Sequence, residues 1–236
     1  MSYSDSYFAT RETWRDWRIE ARELMRLARV MRDARVLEIG CGGGSLLRLL
    51  HECGARVVGV DTLESALHLA REREMSLRAE RSNPHGGLEI ASSQRTLLAM
   101  TLTRIGEDGA LPFRINAFDA LIGQHVVEHL ADVDVALREW KRVLKLDGRL
   151  VLATPNARYP DPAHFADADH VRVFSSEELR EVVTRAGFIV EQCFTIFPFL
   201  ARVRALRALG VIAYRVFQRT PYFAMRGRTI MIVARK

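Results

Sequence analysis

Val36-Leu37-Glu38-Ile39-Gly40-Cys41-Gly42-Gly43-Gly44 is the stretch whose reading decides the fold of this chain. Apolar residues and one acid run straight into a cluster of glycines, and an amphipathic segment, Ser45 to Cys53, follows at once. The pattern predicts a buried strand, a tight turn and the start of a helix. Glycines at such a turn let the backbone take positive φ and let a ligand lie against bare main chain. Unbonded N–H groups at the helix start favour a negatively charged or carboxylate-bearing ligand.

Which nucleotide such a loop holds depends on its register. The G-x-G-x-x-G fingerprint of dinucleotide folds fails from Gly40, where the third position is Ser45, and from Gly42, where it is Leu47. No G-K-[ST] follows, so the phosphate-loop pattern fails as well. What stands there is E-x-G-x-G-x-G. Downstream, Val57-Val58-Gly59-Val60-Asp61 predicts a second buried strand ending in an acid, which can accept both hydroxyls of a ribose.

Outward from these strands the periodicity continues. Glu12 to Met31 predicts an amphipathic helix before the first strand, with Trp14, Trp17, Ala21, Leu24, Met25, Ala28 and Met31 at helical spacing. Gly54 fits the position just past the helix that opens at Ser45. Leu63 to Glu80 reads as a helix with Leu63, Ala66, Leu67, Ala70 and Met75 along one side, and Arg81 to Gly87 as a break. A third strand is expected within Thr96 to Ile105, a fourth over Ala117 to Gly123 and a fifth over Arg149 to Thr154. Val133 to Leu144 is expected to be helical, with Val135, Leu137, Trp140, Val143 and Leu144 inward. Ser175 caps a helix ending at Gly187. Phe188 to Phe197 and Gly227 to Arg235 are the last strands. Strands alternating with helices predict an α/β fold with a Rossmann-like, doubly wound, seven-stranded and mostly parallel sheet, helices on both faces and the last strand antiparallel. No linker divides the chain. We expect one domain over 1–236, with an N-terminal helical cap (1–34), an insertion (about 81–98) and a C-terminal helical lid (198–226).

The glycine loop and the acid at Asp61 together resemble the class I S-adenosylmethionine-dependent methyltransferases. Further ordered motifs extend the similarity over roughly residues 30 to 195. They are Ala110-Leu111-Pro112-Phe113, Phe118-Asp119, Val126-Val127-Glu128-His129-Leu130, Arg142-Val143-Leu144-Lys145, Asp147-Gly148-Arg149-Leu150 and Thr154-Pro155-Asn156. They look like those of the group that includes the ubiquinone-biosynthesis O-methyltransferases. The resemblance implies S-adenosyl-L-methionine as cofactor. In its terms Glu38 orders the glycine loop, Gly40, Gly42 and Gly44 meet the methionine and ribose portion, and Asp61 takes the ribose diol. Thr62 and Leu63 flank the adenine, Glu107 or Asp108 faces its amino group, and Gln124 lies near the methionine end.

Catalysis asks for alignment and, at a protonated nucleophile, a base. Histidine suits that task near neutral pH, and the candidates are His125, His129, His164 and His170. His170, preceded by Asp169 in the loop after Thr154-Pro155-Asn156, is the first choice and His129 the second. His125-Val126-Val127-Glu128-His129 also spells H-x-x-E-H, a zinc-peptidase pattern that belongs on a long helix, not at a strand end. Some quinone-ring methyltransferases use E-x-x-E-H here for a divalent metal. With His125 in place of the first acid the set suits Mg²⁺ poorly, and no metal is expected.

Composition bounds the remainder. The chain has 236 residues, with 35 basic against 29 acidic side chains and a formal charge of +6. This mild excess does not choose between a nucleic acid, an anionic membrane and a phosphorylated substrate. Arg202, Arg204, Arg207 and Arg215 in Phe197 to Phe217 form a basic amphipathic stretch, compatible with peripheral membrane contact or a lid. Three cysteines, Cys41, Cys53 and Cys193, suit a reducing cytoplasm, and no run reaches transmembrane length. We expect a cytoplasmic enzyme that methylates a small-molecule acceptor at oxygen, lipid-linked and phosphorylated acceptors included. A nucleic-acid or protein methyltransferase, and a non-catalytic cofactor-binding regulator, are the alternatives. Nucleic acid is disfavoured for want of a recognition domain, and oligomeric state is not legible.

Overall fold

Apolar alternation along the strands builds the molecule from two cores, one on each side of a sheet. The computed structural model describes residues 15–82, 100–106, 109–160, 170–196, 220 and 224–236. Its strands are β1 (Arg35–Ile39), β2 (Arg56–Asp61), β3 (Thr101–Arg104), β4 (Phe118–Gln124), β5 (Leu144–Pro155), β6 (Ile189–Ile196) and β7 (Thr229–Arg235). They form one sheet in the order β3-β2-β1-β4-β5-β7-β6. Neighbours from β3 to β5 pair in parallel, and β7 runs antiparallel to both β5 and β6. The helices are α1 (Arg15–Leu27), α2 (Ser45–Glu52), α3 (Glu64–Ser82), α4 (Val133–Val143) and α5 (Ser176–Arg185), with a 3₁₀ turn at Val127–His129. This is the doubly wound, mostly parallel α/β fold expected from the sequence, with its last strand antiparallel.

The period of two assigns each strand residue to a face. Leu37, Leu121, Leu150, Leu152, Ile230 and Ile232 share a core with Leu137 and Trp140 of α4 and Leu179 and Val183 of α5. Val36, Ala120, Ile122, Val151, Ala153, Met231 and Val233 point the other way. They pack with Ala21 and Leu24 of α1, Leu46, Leu47 and Leu50 of α2, and Leu67 of α3. From β1 the chain winds outward to β2 and β3, then returns to β4 on the other side of β1. The carboxyl ends of β1 and β4 therefore flank the point where an open α/β sheet offers a cleft.

Helix ends follow the sequence closely. Gly54 sits past α2 with φ of 87°. Ser175 caps α5 through a reciprocal pair with Glu178. Some inward and outward assignments are corrected. Val135, expected inward, is exposed, and Val133 and Ala136 line the stripe of α4 instead. Met31 and Met75 are also exposed, because Met31 lies beyond the end of α1 and the buried stripe of α3 runs through Ala66, Leu67 and Ala70. β5 begins earlier than expected, at Leu144. Its pairing with β4 jumps between Phe118–Leu144 and Ala120–Arg149, so the intervening residues, with Asp147 at φ 61°, bulge out of the ladder. Trp14, nearly all of the 81–98 insertion and most of the 198–226 lid lie outside the described residues.

Candidate functional site

The turn after β1 is built on left-handed glycines. Gly40, Gly42 and Gly44 have φ of 66°, 49° and 77°, a region where a side chain is strained. The N–H groups of Gly40 and Cys41 bond the Val60 carbonyl at 2.8 and 3.1 Å, which staples the turn to the end of β2. Gly44 caps α2 without a side-chain hydrogen bond. Arg73, reaching back from α3, donates to the Gly43 carbonyl at 3.2 Å and to Ser45 Oγ at 3.3 Å. Gly59 on β2 gives the turn room, since a Cβ there would collide with Leu47 Cδ1 and the Cys41 side chain. Burial, with the nearby carboxylates of Glu38 and Asp61, pushes the Cys41 thiol well up. It is packing, not a nucleophile.

Asp61 lies at the carboxyl end of β2 and holds the neighbouring backbone. Its Oδ2 accepts from Gly42 N–H at 2.9 Å and its Oδ1 from Leu63 N–H at 3.0 Å. Burial raises its pKa, and those backbone bonds partly offset the rise. Each oxygen keeps a second lone pair, so the carboxylate can still accept a diol. Glycine turn and acid together fit a nucleoside-bearing cofactor: bare main chain on one side, a pre-oriented acceptor on the other. Glu38 is buried in β1, in register with Gly59 and Ile122. Thr62 is exposed and Leu63 half-buried beside Asp61. Glu107 and Asp108 lie outside the described residues.

The carboxyl end of β4 carries a buried polar network that the sequence did not disclose. Gln124, on the α1 side of the sheet, donates from Nε2 to Glu20 Oε1 at 2.8 Å. Glu20, a residue of α1, is only 5% exposed. His125 Nε2 meets the same oxygen at 2.9 Å, and its Nδ1 faces Glu128 Oε1 at 3.3 Å. Thr154 Oγ1, at the end of β5, donates to Glu128 Oε2 at 2.9 Å. Burial pushes the Glu128 carboxyl up, but the polar contact and charge of His125 outweigh it and hold the group below the ordinary glutamate value. His125, once a candidate base, thus has a carboxylate against each ring nitrogen.

His129 and His170, the second and first choices for the base, lie side by side. Their rings lie 4.9 Å apart, tilted by 57°. The backbone N–H groups of Val171 and Arg172 bond the Glu128 carbonyl at 2.8 and 3.1 Å, fixing the strand of chain after His170 against the 3₁₀ turn. One atom each of Glu128, His129 and His170 falls within 4.8 Å of the others, a spacing compatible with a metal ion. Glu128 Oε2 accepts from Thr154, while Oε1 makes no hydrogen bond and has His125 Nδ1 at 3.3 Å. A donor set of one carboxylate and two imidazoles fits Mg²⁺ poorly, and no metal is assigned. His164 and Asp169 lie outside the described residues.

Glu20 is the residue that sequence reading missed. Its signal was available: a glutamate on the inward stripe of a helix, between Trp17 and Leu24. Another clamp went unread. Glu139 and Arg142 of α4 pair at 2.6 Å. Together they hold the chain after β3, through Leu111 N–H to Glu139 at 2.8 Å and Arg142 to the carbonyls of Phe113 and Leu111 at 2.8 and 3.0 Å. A groove of about 450 Å³ opens at the opposite, amino end of the strands, beside Asp33, Asp119, Lys145 and Asp147. Within it Lys145 pairs with Asp119 at 2.6 Å, and Asp147 with Arg235 at 2.6 Å; none of the expected cofactor-binding or catalytic residues lines it.

Comparison with known proteins agrees with this geometry. A family model described as a methyltransferase domain matches residues 10–192. The uncharacterized protein YafE of Escherichia coli K12 is 32% identical over 160 residues, covering 58% of this chain and 74% of YafE. The ubiquinone biosynthesis O-methyltransferase of Dinoroseobacter shibae is 38% identical over 134 residues, covering 57% of this chain. The match spans less than half of that enzyme, 45% of its length. Among solved structures, a SAM-dependent methyltransferase from Archaeoglobus fulgidus superposes with a TM-score of 0.66 at 20% identity, over 98% of this chain and 100% of that one. Geranyl diphosphate C-methyltransferase from Streptomyces coelicolor superposes with a TM-score of 0.64 at 17% identity, over 93% and 79%. At those identities the superpositions establish the fold. No helix among the described residues is long and apolar enough to cross a membrane.

Proposed function

The chain belongs to the class I S-adenosylmethionine-dependent methyltransferases, and we propose that it moves the methyl group to an oxygen of a small-molecule acceptor. The observation that carries this reading is the convergence of His129, His170 and Glu128 at the carboxyl ends of β4 and β5. It stands across the sheet's switch point from a glycine turn fitted to the cofactor. The similarity to ubiquinone biosynthesis O-methyltransferases supports oxygen as the site of transfer.

S-adenosylmethionine supplies an electrophilic methyl group on a sulfonium, so the protein's work is to bind, orient and manage one proton. Gly40, Gly42 and Gly44 would lie along the methionine and ribose, and Glu38 would support that turn from within the sheet. Asp61 would take the ribose diol on its remaining lone pairs. Thr62 and Leu63 would flank the adenine, Glu107 or Asp108 would face its amino group, and Gln124 would stand at the methionine end. His170, or His129 beside it, would take the proton of the acceptor hydroxyl or orient it. The protein would act in the cytoplasm.

The test is methyl transfer from labelled S-adenosylmethionine across a panel of phenols, catechols and carboxylic acids, with bulk RNA and protein as competitors. O-methylated product is the expected result. Label found solely in RNA or protein would replace the reading, and cofactor binding with no transfer to any class would favour a regulatory module. For an accepted phenol, His170→Ala should lower turnover by about 10²–10⁴ and leave S-adenosylhomocysteine affinity within a few-fold. A fall in cofactor affinity instead would make that segment a cover over the cofactor.

A further inference from the structure

The least expected group in the molecule is the Glu20 carboxylate. It is buried on the face of α1 that otherwise packs Ala21 and Leu24 against the sheet. Withdrawing a carboxylate from water costs several kcal/mol. Packing therefore gives no reason for an acid at this position. Its partners do. One oxygen accepts from both Gln124 Nε2, at 2.8 Å, and His125 Nε2, at 2.9 Å.

Those two residues form the carboxyl end of β4. His125 holds φ of 54°, a left-handed conformation that costs a non-glycine residue about 1–2 kcal/mol and persists where neighbours over-determine it. Three contacts do so. Its N–H bonds the Ala153 carbonyl at 2.8 Å, Nε2 lies 2.9 Å from Glu20 Oε1, and Nδ1 packs 3.3 Å from Glu128 Oε1. A carboxylate therefore stands against each ring nitrogen. The line Glu20–His125–Glu128–Thr154 then crosses the sheet edge, from the helical layer of α1 to the side on which α4 and α5 pack.

We propose that Glu20 is a positioning residue of the methyl-transfer site: its shared oxygen fixes the Gln124 amide and the His125 kink in the shape that receives the methionine end of the cofactor, making α1 a working part of that site. The inference rests on the reading of Gln124 as a cofactor-facing residue. Glu20 itself touches neither cofactor nor acceptor. It removes the freedom of the Gln124 amide to turn over, because a carboxylate accepts from Nε2 alone. It also anchors the His125 ring against Glu128, next to His129.

The experiment separates positioning from stability. Full-length wild type, Glu20→Gln and Glu20→Leu are titrated with S-adenosylhomocysteine by calorimetry, and each is melted without ligand. Losing hydrogen bonds to a charged group corresponds to about a 10- to 100-fold loss of affinity. We expect that loss in Glu20→Leu, measured on folded protein well below its melting temperature, and a smaller one in Glu20→Gln, whose amide oxygen can still accept. Imidazole ¹⁵N shifts of His125 should differ between wild type and Glu20→Leu. Wild-type affinity in both variants would overturn the proposal and leave the cofactor reading standing. Wild type that fails to bind S-adenosylhomocysteine would overturn both. Variants that melt far below wild type while their folded fraction binds normally would make Glu20 structural, and the proposal would fall.

Discussion

Asp61 shows how one side chain can organise a loop and a ligand together. Its two oxygens secure Gly42 and Leu63, so the acceptor geometry exists before any ribose arrives, the condition under which a hydrogen bond contributes most to binding. Asp61→Ala should weaken S-adenosylhomocysteine binding by roughly 1.5–3 kcal/mol, with the fold retained because the residue stands at a strand end. Unchanged affinity in a folded variant would remove Asp61 from the site. Its pKa, raised by burial above the ordinary 3.8, gives the sign of a pH effect. The ionised form accepts the diol, so affinity should fall as pH drops through this raised value, earlier than an unperturbed aspartate would allow. Stability runs the opposite way: the folded chain holds this proton more tightly than the unfolded one, so acidification relieves the cost of burying the charge.

At the scale of elements, α4 governs the chain after β3. Arg142 and Glu139 grip Leu111 and Phe113 by their backbone, and that segment leads back to Glu107 and Asp108. Arg142→Ala should lower the melting temperature and weaken S-adenosylhomocysteine binding in parallel; a lowered melting temperature with unchanged affinity would disconnect the clamp from the adenine side. The hydrogen bond from Arg142 holds Glu139 below the ordinary glutamate value. Its stabilisation is therefore present above the unfolded value and fades as pH falls through the lower, folded one. Elements of this kind were legible in the sequence where a repeat was strict and a breaker stood at its end. The strand and glycines from Val36 to Gly44, the cap at Ser175 and the stop at Gly187 are such places. Val135 and Met75 misled because apolar character alone does not place a residue within a helical stripe. Glu20 escaped because a charge on such a stripe has meaning only through partners about a hundred residues away, Gln124 and His125.

Across the whole molecule, the sheet is shared by two apolar layers, and β7 serves both. Ile230, Ile232 and Ala234 enter one core, Met231 and Val233 the other. Ile232→Ala should cost about 2–5 kcal/mol, measured by urea denaturation, and should leave S-adenosylhomocysteine affinity of the folded protein unchanged, since β7 stands apart from the cofactor end of β1 and β2. Affinity that falls with stability would show that the site is strained through the sheet. The order β5-β7-β6 also has a consequence for biosynthesis. A ribosome delivers β5 and β6 before the strand that must lie between them. The parallel half, β3-β2-β1-β4-β5, can assemble as it emerges, whereas β6 has to wait with an unfilled edge until residues 229–235 insert antiparallel to both neighbours. The nascent chain therefore carries two open strand edges until residues 229–235 emerge, the stage when a chaperone or a pause in translation would do most to keep them apart.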